Sequence, residues 1–120
     1  MHLSSFYDAD PAHRAYYVAV DATGQVIGGG GLAEFEGFPN TAEMQKLYLV
    51  DAAKGHGLGA RLVGCIEQAA RRMGCERLYL ETHSNLKAAI HLYEKLGYQR
   101  IQKPALCQHS ATDHFFIKRL

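Results

Sequence analysis

Lys54-Gly55-His56-Gly57-Leu58-Gly59-Ala60 stands between an apolar, strand-like segment, Met44 to Val50, and an amphipathic helix from Leu58 to Met73. Three glycines alternate with other residues there, leaving backbone amides unshielded where a helix begins. The amides of a first helical turn have no partner inside the helix, and the macrodipole adds partial positive charge at that end. Strand, glycine loop and helix together make a cradle for an anion, most often a phosphate or pyrophosphate.

Leu58, Leu62, Cys65, Ile66, Ala69 and Met73 recur at three- and four-residue steps, with Arg61, Glu67, Gln68, Arg71 and Arg72 elsewhere around the wheel, and Gly74 stops the helix. Arg77 to Thr82 then reads as a strand. A second helix runs from about Leu86 to Leu96, with Gly97 as its stop. Upstream, Tyr16 to Val20 and the run from Val26 to about Phe35 form a hairpin across the turn Asp21-Ala22-Thr23-Gly24. The second run holds Gly28 to Gly31; glycines in a strand mark a bulge or a close approach by another group. Tyr98 to Gln102 and Asp113 to Lys118 close the chain as a strand pair. The strand–helix–strand passage from Met44 to Thr82 predicts a right-handed crossover between parallel strands, with antiparallel hairpins on either side. The expected architecture is α+β: a mixed, mostly antiparallel sheet with a central parallel pair and flanking helices.

The 120 residues predict one domain, and 48% apolar with 21% charged residues is the composition of a water-soluble globular chain. A formal net charge of +1 gives no electrostatic case for nucleic acid or an anionic membrane. No apolar run approaches the roughly 20 residues that span a bilayer, and the first residues lack the pattern of a signal peptide. Cys65, Cys75 and Cys107 form neither a disulfide framework nor CxxC spacing, and the seven histidines are scattered, so no metal and a cytoplasmic location are expected.

The loop fits neither common nucleotide fingerprint. No Lys-Ser or Lys-Thr follows a glycine as a P-loop requires, and a GxGxxG pattern starting at Gly55 would need glycine where Ala60 stands. Lys54-Gly55-His56-Gly57-Leu58-Gly59 instead resembles the [Q/R]-x-x-G-x-[G/A] acyl-CoA pyrophosphate loop of the GNAT family of N-acetyltransferases. Ala88-Ala89-Ile90-His91-Leu92-Tyr93-Glu94-Lys95-Leu96-Gly97-Tyr98 resembles that family's second signature, A-x-x-L-Y-E-K-L-G-[F/Y]. Two motifs in the family's order, joined by Leu78 to Thr82, make the resemblance specific; it covers roughly Tyr16 to Leu120.

The resemblance implies the GNAT fold, acetyl-CoA as cosubstrate and transfer of its acetyl group to a primary amine of a small molecule or peptide. Backbone groups of Leu47, Leu49 and Val50 are expected to bond the pantetheine arm, with the amide of Leu49 polarising the thioester carbonyl. Lys54 and Gly55 open the loop, and the amides of His56, Gly57, Leu58, Gly59 and Ala60 would hold the pyrophosphate. Lys54 replaces the usual Arg or Gln and acts as a point charge without a bidentate fork. Tyr93 aligns with the tyrosine that protonates the departing thiolate, although an aromatic on the apolar side of a helix is ordinarily core. Glu43, eleven residues before Lys54, stands where some members place a general base; Glu81 or an ordered water are the alternatives. Asn85 is one residue out of register with the family's asparagine, and Ser84 or Asn85 as a helix N-cap is the simpler account.

Members usually begin with a strand and one or two helices that build the acceptor wall. Here only Met1 to Arg14 precede the first clear strand, so that segment is expected to be missing or reduced, in a naturally short chain or a truncated one. A homodimer is one way to complete the site. The competing readings are a coenzyme A-binding module without catalysis and, on the glycine loop alone, a nucleotide- or RNA-binding module.

Overall fold

The fourth strand carries the feature around which the sheet is arranged. The computed structural model describes residues 2–6, 14–55, 57–107 and 111–120, with the backbone alone for 2–6, 14, 15 and 52. Along the described chain run β1 (His2–Phe6), β2 (Arg14–Val20), β3 (Val26–Glu34), β4 (Thr41–Leu49), α1 (Leu58–Arg72), β5 (Arg77–Thr82), α2 (Lys87–Lys95), β6 (Gln99–Ile101) and β7 (His114–Arg119). They form one sheet in the order β1-β2-β3-β4-β5-β7-β6, in which only β4 and β5 run parallel. The mixed, mostly antiparallel sheet and its central parallel pair are those expected. The strand His2–Phe6 was not: the sequence suggests none before Tyr16, yet its backbone pairs with β2 from His2↔Val20 to Phe6↔Tyr16.

Within β4 the pairing with β3 passes from Gly31↔Gln45 to Gly29↔Tyr48, so Lys46 and Leu47 together face Gly30. This is a β-bulge, and Lys46 takes the left-handed φ of 56° that it needs. The parallel pairing with β5 covers only Thr41↔Arg77 to Met44↔Leu80. From Gln45 onward β4 keeps β3 on one edge and has no strand on the other, so the sheet is split at its centre.

One face of the sheet is covered by both helices. Leu62, Val63, Ile66, Ala69 and Ala70 of α1 are buried against Tyr17, Leu32, Ala42, Met44, Leu78, Leu80 and Phe116, and Tyr93 of α2 joins the same cluster. The glycine run on β3 allows this approach, since a Cβ on Gly30 would lie 2.8 Å from Ile66 Cδ1. The opposite face carries a smaller cluster of Phe35, Tyr79 and Phe115, with Phe35 stacked on Tyr79 at 4.0 Å. No helix of the described residues is long and apolar enough to cross a membrane.

Both helices end in the same hydrogen-bond pattern. Cys75 N–H donates to Ala70 O and Gly74 N–H to Arg71 O; Tyr98 N–H donates to Tyr93 O and Gly97 N–H to Glu94 O. These are Schellman motifs, which also bring the residue after the glycine onto the last turn. In α2 that contact is Tyr98 on Tyr93, edge to face with centroids 5.9 Å apart. Tyr98 is in turn pinned through its hydroxyl, which donates to Glu67 Oε2 at 2.8 Å, and Lys118 Nζ reaches the same oxygen at 2.9 Å. The start of α2 departs from expectation: neither Ser84 nor Asn85 caps it, because Leu86 holds the N-cap position with no side-chain bond, and the Ser84 amide donates instead to Asp113 Oδ1 at 2.7 Å.

Replacing Tyr98 with Phe removes a charge-assisted hydrogen bond to a buried carboxylate, and urea denaturation should show a loss of about 1.5–3 kcal/mol. An unchanged midpoint would mean that Glu67 is satisfied by Lys118 alone.

Candidate active site

The glycine loop is built as an amide cradle. Gly55 and Gly57 take φ of 83° and 73°, a left-handed geometry that other residues adopt only with strain, so glycine is required at both. Gly57 is the N-cap of α1, and no side chain caps the helix or places an acid in its first turn. The amides of Leu58, Gly59 and Ala60 therefore point out of the helix start without an internal partner. Gly59 permits close packing behind them: a Cβ there would lie 3.0 Å from Leu92 Cδ2 of α2. Lys54 stands beside the loop, exposed, with its ammonium 2.9 Å from Asp51 Oδ1. His56 lies outside the described residues.

The cradle adjoins the split in the sheet. Val50 N–H donates to Ile27 O at 2.9 Å, which puts Leu49 at a non-hydrogen-bonded position relative to β3. The N–H and C=O of Leu49 are thus turned toward the edge where β5 has separated. Val50 is different. Its amide serves Ile27 and its carbonyl accepts from Ala53 N–H at 3.0 Å, so the expectation of free backbone groups at Val50 is not met. Leu47 follows the bulge and packs its side chain on the helix-covered core.

Tyr93, on α2, lies in the helix-covered core with its ring beside those of Tyr98 and Phe116. Its side chain is 5% exposed, and its hydroxyl makes no hydrogen bond among the described residues. No fully enclosed side-chain N or O among those residues lacks a partner, so this hydroxyl opens onto accessible space. Burial pushes its pKa up to about 12, which keeps the phenol neutral and able to donate. Asn85 is exposed on the turn before α2.

Glu43 and Glu81 lie on the other face. Glu43 pairs across the strands with Tyr79, while its neighbour Met44 and Leu80 point into the helix-covered core. Desolvation raises the Glu43 pKa and the Glu81 charge raises it further, against a hydrogen bond from Gln45 Nε2 at 3.1 Å. Glu81 is more heavily engaged: Tyr79 donates to Oε2 and Thr112 to Oε1, each at 2.8 Å. Cys107 Sγ lies 3.5 Å from the Tyr79 hydroxyl in the same network. Sequence reasoning missed Thr112 and Cys107, because their contacts join β5 to the loop between β6 and β7 and no local spacing encodes them, and it missed Tyr79 although the two-residue step along β5 puts it on the face of Glu81. Among the described residues, no group of three or more His, Cys, Asp or Glu is arranged to hold a metal.

The model of the acetyltransferase (GNAT) family matches residues 2–98, and the chain belongs to that family. It is 43% identical over 100 residues to the uncharacterized N-acetyltransferase YjgM of Escherichia coli, an alignment covering 82% of this chain and 59% of that protein. The chain thus spans less than two thirds of that curated relative. Among solved structures, one from Klebsiella pneumoniae described as an acyl-CoA N-acyltransferase superposes with a TM-score of 0.83 at 30% identity, covering 92% of this chain and 74% of its own. The acetyltransferase yncA from Salmonella typhimurium, solved with acetyl-CoA, gives a TM-score of 0.71 at 27% identity over 91% of this chain and 66% of its own.

The raised pKa of Glu43 fixes the sign of its effect on stability. Between the ordinary glutamate value of 4.5 and its raised folded value, the native state binds more protons than the unfolded state, so stability falls as pH rises through that window. Glu43→Gln should therefore be at least as stable as the parent above neutral pH, with the difference shrinking toward pH 4 in denaturation series. A variant less stable at neutral pH would show that the ionised carboxylate supports the fold.

Proposed function

We propose that this chain is an acetyl-CoA-dependent N-acetyltransferase that acts on a primary amine by direct transfer. The reading is carried by one conjunction: uncapped amides at the start of α1 beside the outward-turned backbone of Leu49 at the split between β4 and β5, with an unpartnered Tyr93 hydroxyl on the same helix-covered side. Acetyl-CoA, when bound, supplies an acetyl group activated as a thioester.

The residues present fit such a ligand. A pyrophosphate would be held by the amides of Leu58 to Ala60, with no acid in the first turn to oppose it. Lys54 would turn from the exposed Asp51 toward the phosphates, since an exposed ion pair holds it only weakly. The edge of β4 at Leu47 and Leu49 would pair with the amide-bearing arm much as a strand would. The Leu49 N–H would then donate to the thioester oxygen, where negative charge builds as the amine attacks.

Proton traffic divides between the faces. An amine of lysine-like pKa, about 10.4, must lose a proton before it attacks. Glu43 is the better acceptor of the two carboxylates, because burial makes it more basic and its oxygens are less engaged than those of Glu81. A water held by Glu43 would serve equally. Tyr93, on the helix side, would donate to the leaving sulfur. With its pKa near 12 it is a weaker acid than an ordinary thiol of about 8.5, so its effect is a hydrogen bond that stabilises the departing thiolate, which takes its proton from solvent on release.

The test is thiol release from acetyl-CoA across a panel of primary amines. Transfer to at least one amine is expected, and binding of acetyl-CoA without any thiol release would favour a non-catalytic coenzyme A-binding module instead. Tyr93→Phe should lower kcat by about a hundredfold with the KM for acetyl-CoA little changed. Equal loss of turnover and coenzyme affinity would make Tyr93 a structural residue only.

A further inference from the structure

Thr82, the last residue of β5, carries a polar side chain that the fold does not use. It is 5% exposed, and its hydroxyl makes no hydrogen bond among the described residues, although it is not sealed from accessible space. The two-residue step from Leu78 and Leu80 turns it to the helix-covered side. In the pairing with β7 it stands opposite His114, whose ring lies 6.3 Å from that of Phe116 in the same core and whose Nδ1 is 3.2 Å from Asp113 Oδ1. The Thr82 carbonyl accepts from Asp113 N–H at 3.3 Å, so the backbone that carries the hydroxyl is held. Such a hydroxyl is a cost to the fold. Valine has the same shape, suits a strand as well and needs no partner.

Its place along the strands says what reaches it. β4 and β5 part after Met44↔Leu80, so Thr82 stands on the β5 wall of the opening, two residues past the fork. At that level β4 has its bulge at Lys46 and Leu47, and Leu49 and the amide cradle of α1 follow farther out. A donor whose pyrophosphate occupies the cradle and whose arm follows β4 inward therefore brings its thioester toward the fork. On the helix-covered side β4 presents the apolar side chains of Leu47 and Leu49. From the β5 wall, the polar side chain on that side is Thr82.

Resting on the acetyltransferase reading above, we propose that Thr82 is a further catalytic residue, whose hydroxyl donates a hydrogen bond to the sulfur of the thioester as it departs. The amine attacks from the face of Glu43; the C–N bond forms, and the C–S bond breaks with its electron pair staying on sulfur. The proton of the amine passes to Glu43 or to its water. Thr82 keeps its own, being far too weak an acid to lose it to a thiolate. The hydroxyl acts by placing the positive end of its dipole where charge develops, beside the role given to Tyr93. Because it has no partner among the described residues, no such bond must break before it turns to the sulfur.

Thr82→Val keeps the shape and removes the hydroxyl. Its kcat for thiol release should fall about tenfold with the KM for acetyl-CoA within about twofold of the parent, and Thr82→Ser should keep most of the parental rate. In urea the valine variant should be at least as stable as the parent, since no hydrogen bond is lost. Binding gives a readout apart from turnover. By calorimetry at about pH 9, where an ordinary thiol of about 8.5 is largely ionised, the parent should hold coenzyme A more tightly than desulfo-coenzyme A. Thr82→Val should narrow that margin about threefold or more. A valine variant with parental kcat, or with KM raised in place of a lowered kcat, overturns the contact while the enzymatic reading stands. So does a loss of stability, which would assign the hydroxyl to the fold. A margin that narrows in a protein that acetylates no amine keeps the contact to sulfur and overturns the enzymatic reading.

Discussion

The extra residue in β4 is the constraint on which the rest of the molecule depends. At Lys46 the strand adopts a left-handed conformation that costs about 1–2 kcal/mol for a residue with a side chain. That local cost is offset by the pairing with β3, which resumes at Tyr48 and Leu49 and holds the bulge in place. Its consequence is on the other edge. β4 leaves β5 after Met44, and a sheet that would otherwise be continuous acquires a central opening with strand backbone on its wall. Unpaired backbone at the centre of a sheet is rare, because buried N–H and C=O groups left without partners are costly. Here it is arranged beside the uncapped start of α1.

The opening also joins two faces of different chemistry. The helix-covered face is apolar and brings Tyr93 to the opening on a helix whose end is fixed by the Schellman contact with Tyr98. The bond from Tyr98 to Glu67, shared with Lys118, ties that contact to α1 and β7, so the tyrosine pair and the glycine cradle belong to one rigid block. The other face carries Glu43 and Glu81. In the proposed reaction the thioester is delivered from one side and the amine from the other. Strand alternation is what assigns Met44 and Leu80 to the first side and Glu43, Tyr79 and Glu81 to the second.

Much of this was legible in the sequence, for local reasons. The period of Leu58 to Met73, the glycine stops at Gly74 and Gly97 and the alternation in β5 are all properties of short segments, and the helices and central strands fall close to where they are expected. The glycine loop was readable because positive φ and close approach leave few alternatives at Gly57 and Gly59. What escaped depends on distance along the chain. β1 is recognisable only through its pairing with β2, since His2 to Phe6 is too short and too polar to announce a strand. The bond from the Val50 amide to Ile27, the Asp113 bond to Ser84 and the hold of Thr112 on Glu81 all join segments that no spacing rule connects.

Amide chemical shifts recorded while acetyl-CoA is titrated into the protein would test most directly whether the opening beside the bulge receives the donor. The expected result is saturable perturbation at Leu47, Leu49 and Gly57 to Ala60, with Thr41 to Met44, still paired to β5, little moved. Saturable shifts confined to residues away from β4 and the α1 start, or none at the α1 start at millimolar acetyl-CoA, would contradict it.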